Sequence, residues 1–336
     1  MSKTRSGCLW SVLGVVLFLS LLLNLALVAR RTKQVGTNLV AAAKPAERLE
    51  ERLVAEGSSS ERVAVIPLRG LISSGISGRI GTTMVDDVKI QLHQAVNDPR
   101  IKAIVLAIDS PGGEVTASDI IYNAVRKARE KKPVVISMGS MAASGGYYAA
   151  CGGSYLIANP TTFTGSIGVI IQAFRYNDLL GKVGVAPETF KSGEFKDMLS
   201  GTREMTQKER DYIQALVMQT YGRFVGIVAK ERKLPEAELR SGVADGRVVT
   251  GEDALAARLV DELGEIEDAY AKARALGGAP DASVIAYEEP FRIGRLFRFF
   301  GSEASTHGKL EINLSTLPLL PLEPGRAYLL PSLCVP

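Results

Sequence analysis

Histidine is scarce in this chain: two in 336 residues, His93 within a helical stretch and His307 in an irregular C-terminal segment. A serine nucleophile here would therefore need a base other than the usual imidazole. Cysteine is scarce as well. Cys8, Cys151 and Cys334 are too few and too scattered for a disulfide framework or a metal cluster, and Cys151 reads as a small buried residue. No Gly-x-x-x-x-Gly-Lys-Ser/Thr phosphate loop occurs, and no internal repeat. A basic domain is also missing. The net charge is +4, but Lys3, Arg5, Arg30, Arg31 and Lys33 precede the first acid, and removing those five leaves −1. Nucleic-acid binding is excluded on that ground.

What is present begins with Leu9 to Ala29, 21 residues without a charge, enough for a helix to span a bilayer's hydrocarbon core. A cleaved signal peptide is the rival reading. Its apolar region is shorter, roughly 7–15 residues, and Leu27-Val28-Ala29 followed by Arg30-Arg31 makes a poor cleavage site. The expectation is an uncleaved anchor, residues 1–34 forming a cytoplasmic stub and transmembrane helix. Both flanks are basic, so charge alone does not orient it.

Residues 35–62, rich in Ala, Glu, Lys and Ser, read as a linker. Residues 63–289 read as the main domain. Val63–Leu68, Ala103–Ile108 and Val134–Ser137 are apolar strand-like runs, and Met84–Val96 and Val115–Arg129 have helical spacing between them. Such alternation marks βα crossovers and a parallel sheet covered on both faces. Further helices are expected at Gln207–Arg232, Glu252–Leu259 and Ile266–Leu276. Residues 290–336, punctuated by proline, read either as an unordered tail or as an extended segment docked along a groove.

Two glycine turns follow two of the strands: Asp109-Ser-Pro-Gly-Gly113, and Ser140-Met-Ala-Ala-Ser144-Gly-Gly146. In open α/β sheets, sites form beyond the carboxyl ends of strands, so both turns can face one crevice. Their amides, Gly113 or Gly112 with Gly145, suit an oxyanion hole beside Ser144. A base could come from Lys191 or Lys196 in Phe190-Lys-Ser-Gly-Glu-Phe-Lys-Asp197. A lysine serves only if desolvation lowers its pKa, and most lysines are simply solvated.

These motifs, with Thr164-Gly-Ser-Ile-Gly-Val169, Thr202-Arg-Glu-Met205 and Ala244-Asp-Gly-Arg247, run in order across roughly Val63 to Gly264. Together they resemble the signal peptide peptidase A (protease IV) family of the ClpP/crotonase-like superfamily. Each motif occurs once, as in the family's short, single-domain membrane-anchored form. The resemblance implies an α/β fold, a ClpP/crotonase-like βαβ spiral core with an N-terminal transmembrane helix. It also implies Ser144 as nucleophile, Lys196 as general base, Ser166 orienting the lysine amine, and no metal or other cofactor. Asp197, next to the base, should point away from it, and Asp109 should brace its turn.

Implied substrates are cleaved signal peptides and other short or unfolded peptides. The implied setting is the cell membrane, single-pass, with the catalytic domain extracytoplasmic. The implied partners are the lipid bilayer and further copies in a homo-oligomeric ring, where the dyad can be shared between subunits. Two alternatives stay open at this point: a crotonase-like acyl-CoA enzyme, and a non-catalytic membrane-anchored peptide-binding scaffold.

Overall fold

A computed structural model of the chain describes residues 48–75, 83–288 and 328–329. The expected anchor at Leu9–Ala29 lies outside these residues, as does the 290–336 tail apart from Tyr328 and Leu329. Among the described residues no helix is long and apolar enough to cross a membrane.

The strands are β1 (Glu50–Ala55), β2 (Arg62–Arg69), β3 (Ile101–Ser110), β4 (Gly113–Glu114), β5 (Val134–Ala143), β6 (Tyr155–Ala158), β7 (Phe163–Gly165), β8 (Val248–Val249), β9 (Glu262–Leu263), β10 (Ser283–Glu288) and β11 (Tyr328–Leu329). The principal helices are α1 (Met84–Asn97), α2 (Val115–Arg129), α3 (Gly145–Ala150), α4 (Asn177–Lys182), α5 (Gln207–Arg232), α6 (Glu236–Ser241), α7 (Gly251–Ala256) and α8 (Ile266–Leu276). The main sheet runs β1-β10-β2-β3-β5-β6-β9, with β7 on the far end of β5 and β8 on β7. Its central pairs are parallel. The mixed α/β architecture agrees with the ClpP-like expectation.

The period of two along a strand explains why both faces are covered. Ala64, Ile66 and Leu68 of β2 join Ile104, Leu106 and Ile136 on one face, under α1, α2, α3 and α5. Val63 and Val65 join Val105 and Val135 on the other, against Ala269 and Ala273 of α8. Ile66, Ile104 and Ile136 are wholly removed from water, and each such side chain contributes roughly 1.5–3 kcal/mol.

Two helices begin on threonine caps. Thr83 Oγ1 accepts from the Asp86 amide at α1, and Thr206 forms a capping box with Glu209 at α5. Cys151 is buried and free, with its thiol pushed up to about 12, chiefly by burial.

One boundary is corrected. Residues 35–62 were expected to be linker, but Glu50–Ala55 is a strand, paired antiparallel with β10 at the sheet edge. Its charged and half-exposed residues, Glu50-Glu51-Arg52, suit an edge strand and mask its pattern.

Candidate active site

The two glycine turns meet at the carboxyl end of β3 and β5. Asp109 ties them together, because its Oδ1 accepts the Met141 amide at 3.1 Å. The first turn is held from the other side too. The Gly70 amide donates to the Asp109 carbonyl, and Ser110 Oγ donates to the Gly70 carbonyl while accepting the Gly112 amide. Beyond it, Ile72 pairs with Gly113 through Ile72 N–H to Gly112 C=O and Glu114 N–H to Ile72 C=O, both 2.8 Å. The Gly112 amide is thus already donated, and Gly113 presents its own peptide groups to the opposite side.

Ser144 stands between β5 and α3 with φ of 52° and ψ of −113°. A non-glycine residue in that region stores on the order of 1–3 kcal/mol, and such outliers cluster at functional turns. The surroundings hold it there: the Ser144 amide donates to Gly165 C=O at 2.8 Å, and its carbonyl accepts from the Tyr148 amide. Its hydroxyl oxygen is buried and has no hydrogen-bond partner among the described residues. A buried hydroxyl without a partner is costly, so it invites a functional reading.

The residue after it explains the glycines. A Cβ at Gly145 would lie 2.5 Å from Ser118 Oγ and 3.0 Å from the Gly113 nitrogen. The backbones of the two turns therefore approach as closely as only glycine permits. The amides of Gly113 and Gly145 belong to one small space beside Ser144. Ser166, also at positive φ (50°) and buried, follows Gly165 on the strand that pairs with β5. Ser144, Ser166, Gly112, Gly113 and Gly145 are therefore brought together.

Lys196 is not. It sits in a 3-10 turn, Glu194–Asp197, on an exposed segment, and makes no hydrogen bond to the buried Ser144 hydroxyl. Asp197 turns away from it, as expected, into ion pairs with Lys191 and Arg203, both at 2.7 Å. Arg203 also holds Glu209 at the start of α5. Hydrogen bonds from Arg203, then from Lys191, keep the Asp197 carboxyl well below its usual range, and Arg203 with the Thr206 amide lowers Glu209 to about 2. Lys191 is thereby committed to Asp197. The segment before this turn exposes Phe174, Leu179, Val183 and, at 89 %, Phe190.

Of the two readings of residues 290–336, the docked segment is the one that the two described residues of that stretch fit. Tyr328 and Leu329 form a strand between the first turn and the coil after β7. Leu329 pairs with Gly113 and Tyr328 with Glu114, antiparallel. On the opposite edge Tyr328 exchanges both backbone hydrogen bonds with Ile170 at 3.1 Å. Leu329 is fully buried, and a Cβ at Gly112 would collide with its carbonyl oxygen. A segment of extended chain thus lies beside the two glycine turns with its backbone carbonyl against them. Ile72, Ser110, Ser118 and Ile170 complete this arrangement. Ser110 lies within the Asp109–Gly113 motif, whereas Ile72, Ser118 and Ile170, ordinary apolar and small polar residues, carry none.

Known proteins resemble this chain over the same region. A family model described as Clp protease matches residues 71–162, and one described as Peptidase family S49 matches residues 126–279. A Synechocystis sp. protein named as a protease is 40% identical over 221 residues, 66% of this chain and 76% of the relative. An Enterococcus faecium protein named as a signal peptide peptidase is 33% identical over 298 residues, 86% of this chain and 85% of the relative. Protease 4 of Salmonella typhi is 39% identical over 217 residues, which is 64% of this chain but only 34% of that longer protein.

Proposed function

The chain belongs to peptidase family S49 and is a serine peptidase; from that premise we propose that Ser144 is its nucleophile and Lys196, supplied by a neighbouring copy, its general base. Membership in a peptidase family sets aside the acyl-CoA alternative. The observation that carries the proposal is the strand β11 on β4. An extended peptide adds to a sheet edge through main-chain hydrogen bonds, which is how a groove accepts many sequences. In this groove the peptide carbonyl lies against the first glycine turn, whose backbone closely approaches that of Gly145, the residue after a strained serine with an unpartnered hydroxyl.

The steps follow from the residues. Lys196 Nζ takes the proton from Ser144 Oγ as the oxygen attacks the peptide carbonyl. The amides of Gly113 and Gly145 hold the oxyanion. The lysinium gives its proton to the leaving amine, and water, deprotonated by Lys196, then releases the acyl group from Ser144. Ser166 orients the lysine amine.

A solvated lysine on a single chain is a poor base, and desolvation is what lets one act. The exposed Lys196 turn and the apolar Phe174–Phe190 surface favour a homo-oligomer, a ring, in which one copy's turn closes its neighbour's groove. The chain's Leu9–Ala29 segment would tether this assembly to the membrane, catalytic domain outside the cytoplasm. Cleaved signal peptides and other short or unfolded chains are its substrates. Full-length chain given a fluorogenic peptide tests this: wild type cleaves, and Ser144→Ala and Lys196→Ala each lose essentially all turnover. Full activity of Ser144→Ala would overturn the nucleophile assignment, and full activity of Lys196→Ala the base assignment.

A further inference from the structure

A second concave site lies on the outer surface of the sheet's helical layer, between α1 and α2, built from residues that the peptidase chemistry does not use. It is an open cleft of about 660 Å³. Its floor is apolar: Leu92 and Val96 of α1 face Ile120 and Ala124 of α2. Ile120 is 36 % exposed, a large apolar side chain at the surface. The rim is basic. Lys89, Lys127 and Lys131 line the same cleft, with His93 beside them, and among the described residues no acidic side chain does.

The acids of these helices are engaged elsewhere. Asp86 pairs with Lys89 at 3.6 Å and accepts from Thr83, and it does not line the cleft. Asp87 is buried, Asp119 holds Tyr148 and Arg223, and Glu130 holds Arg126. Lys127 and Lys131 have no ion pair among the described residues and are exposed.

An apolar trough with a one-signed cationic rim selects a ligand that is apolar along its length and anionic at one end. The volume is that of a small-molecule site, which typically runs about 300–1,000 Å³. A stable protein partner would engage about 20–30 residues per side, whereas eleven line this cleft. We propose that the α1–α2 cleft binds a single-chain anionic amphiphile, a fatty carboxylate, with its alkyl chain on the Leu92–Ala124 floor and its head among Lys89, Lys127 and Lys131.

The test uses the full chain in a neutral glycoside detergent and a myristate analogue carrying a terminal photoreactive diazirine. Irradiation should label peptides from α1 and α2. Excess unlabelled myristate should suppress that labelling at least tenfold, while the alcohol of equal chain length should not. Lys127→Glu with Lys131→Glu, two exposed positions, should reduce labelling at least tenfold and leave melting temperature and peptide cleavage unchanged. Ile120→Asp should reduce it as well, since the floor is then charged. Labelling that is absent from these helices, survives the double reversal, or is suppressed equally by the alcohol would overturn the assignment. So would better protection by an acidic amphipathic peptide than by myristate.

Discussion

Replacing Gly112 by alanine separates the cost of distorting the first turn from the cost of losing its chemistry. Gly112 has φ of +105°, where a side chain costs on the order of 1–3 kcal/mol. The added Cβ would also stand 2.7 Å from the Gly145 nitrogen and 3.0 Å from the Ala143 carbonyl oxygen, and would run into the Leu329 carbonyl. Overpacking of that kind costs about 1–3 kcal/mol more. Together these predict a loss of about 2–6 kcal/mol, read as a fall of about 2–4 °C in Tm per kcal/mol.

The activity should fall further than stability alone explains. The clash pushes apart the Gly113 and Gly145 amides, and losing one oxyanion donor costs about 10²–10³-fold in kcat. Gly278→Ala is the control, because Gly278 also has positive φ (+64°) but nothing within 4 Å of its would-be Cβ. That variant should lose about 1–2 kcal/mol of stability and keep its kcat/KM. Thermal unfolding and fluorogenic-peptide kinetics on both variants decide the matter. Near-wild-type kcat/KM in a destabilised Gly112→Ala would refute the oxyanion role of this turn.

Two further outcomes follow. If the Tyr328–Leu329 strand competes with substrate, deleting residues 317–336 should speed cleavage of small peptides, and an unchanged rate would show that the strand does not obstruct the groove. The Asp197–Arg203–Glu209 network should fail in acid. Both carboxyls are depressed in the folded chain, so their contribution is full above about 4.5 and is lost as pH falls toward about 2. Hydrogen exchange across residues 194–206, corrected for its intrinsic pH dependence, should therefore rise over that range, and Arg203→Met should reproduce the rise at neutral pH. Constant protection in both cases would mean that the Lys196 turn is held by something else.

Much of the central fold was legible because burial on both faces leaves uninterrupted apolar runs. Val63–Leu68 and Ala103–Ile108 fall within β2 and β3, and the helices at 115–129, 207–232 and 266–276 have the expected ends. Edge elements were only partly legible. β1 hides its strand pattern among charged residues, and a docked segment was one of two readings of residues 290–336, with nothing in the proline-punctuated run to single out Tyr328 and Leu329. Ser144 was legible because strain demands a visible neighbourhood of glycine and alanine. The surroundings of Lys196 were not, since a lysine motif says nothing of whether its own chain or another provides the pocket. Its exposure here contrasts with the buried serine it would serve.

The most direct measurement mixes two inactive variants. Ser144→Ala and Lys196→Ala chains are co-assembled from dissociated subunits and assayed on the fluorogenic peptide. If each site takes its serine from one copy and its lysine from the next, random assembly restores about one site in four. Activity near a quarter of wild type is the predicted result. Mixtures that stay as inactive as either variant alone, with oligomers shown to be mixed, would contradict a dyad shared between subunits.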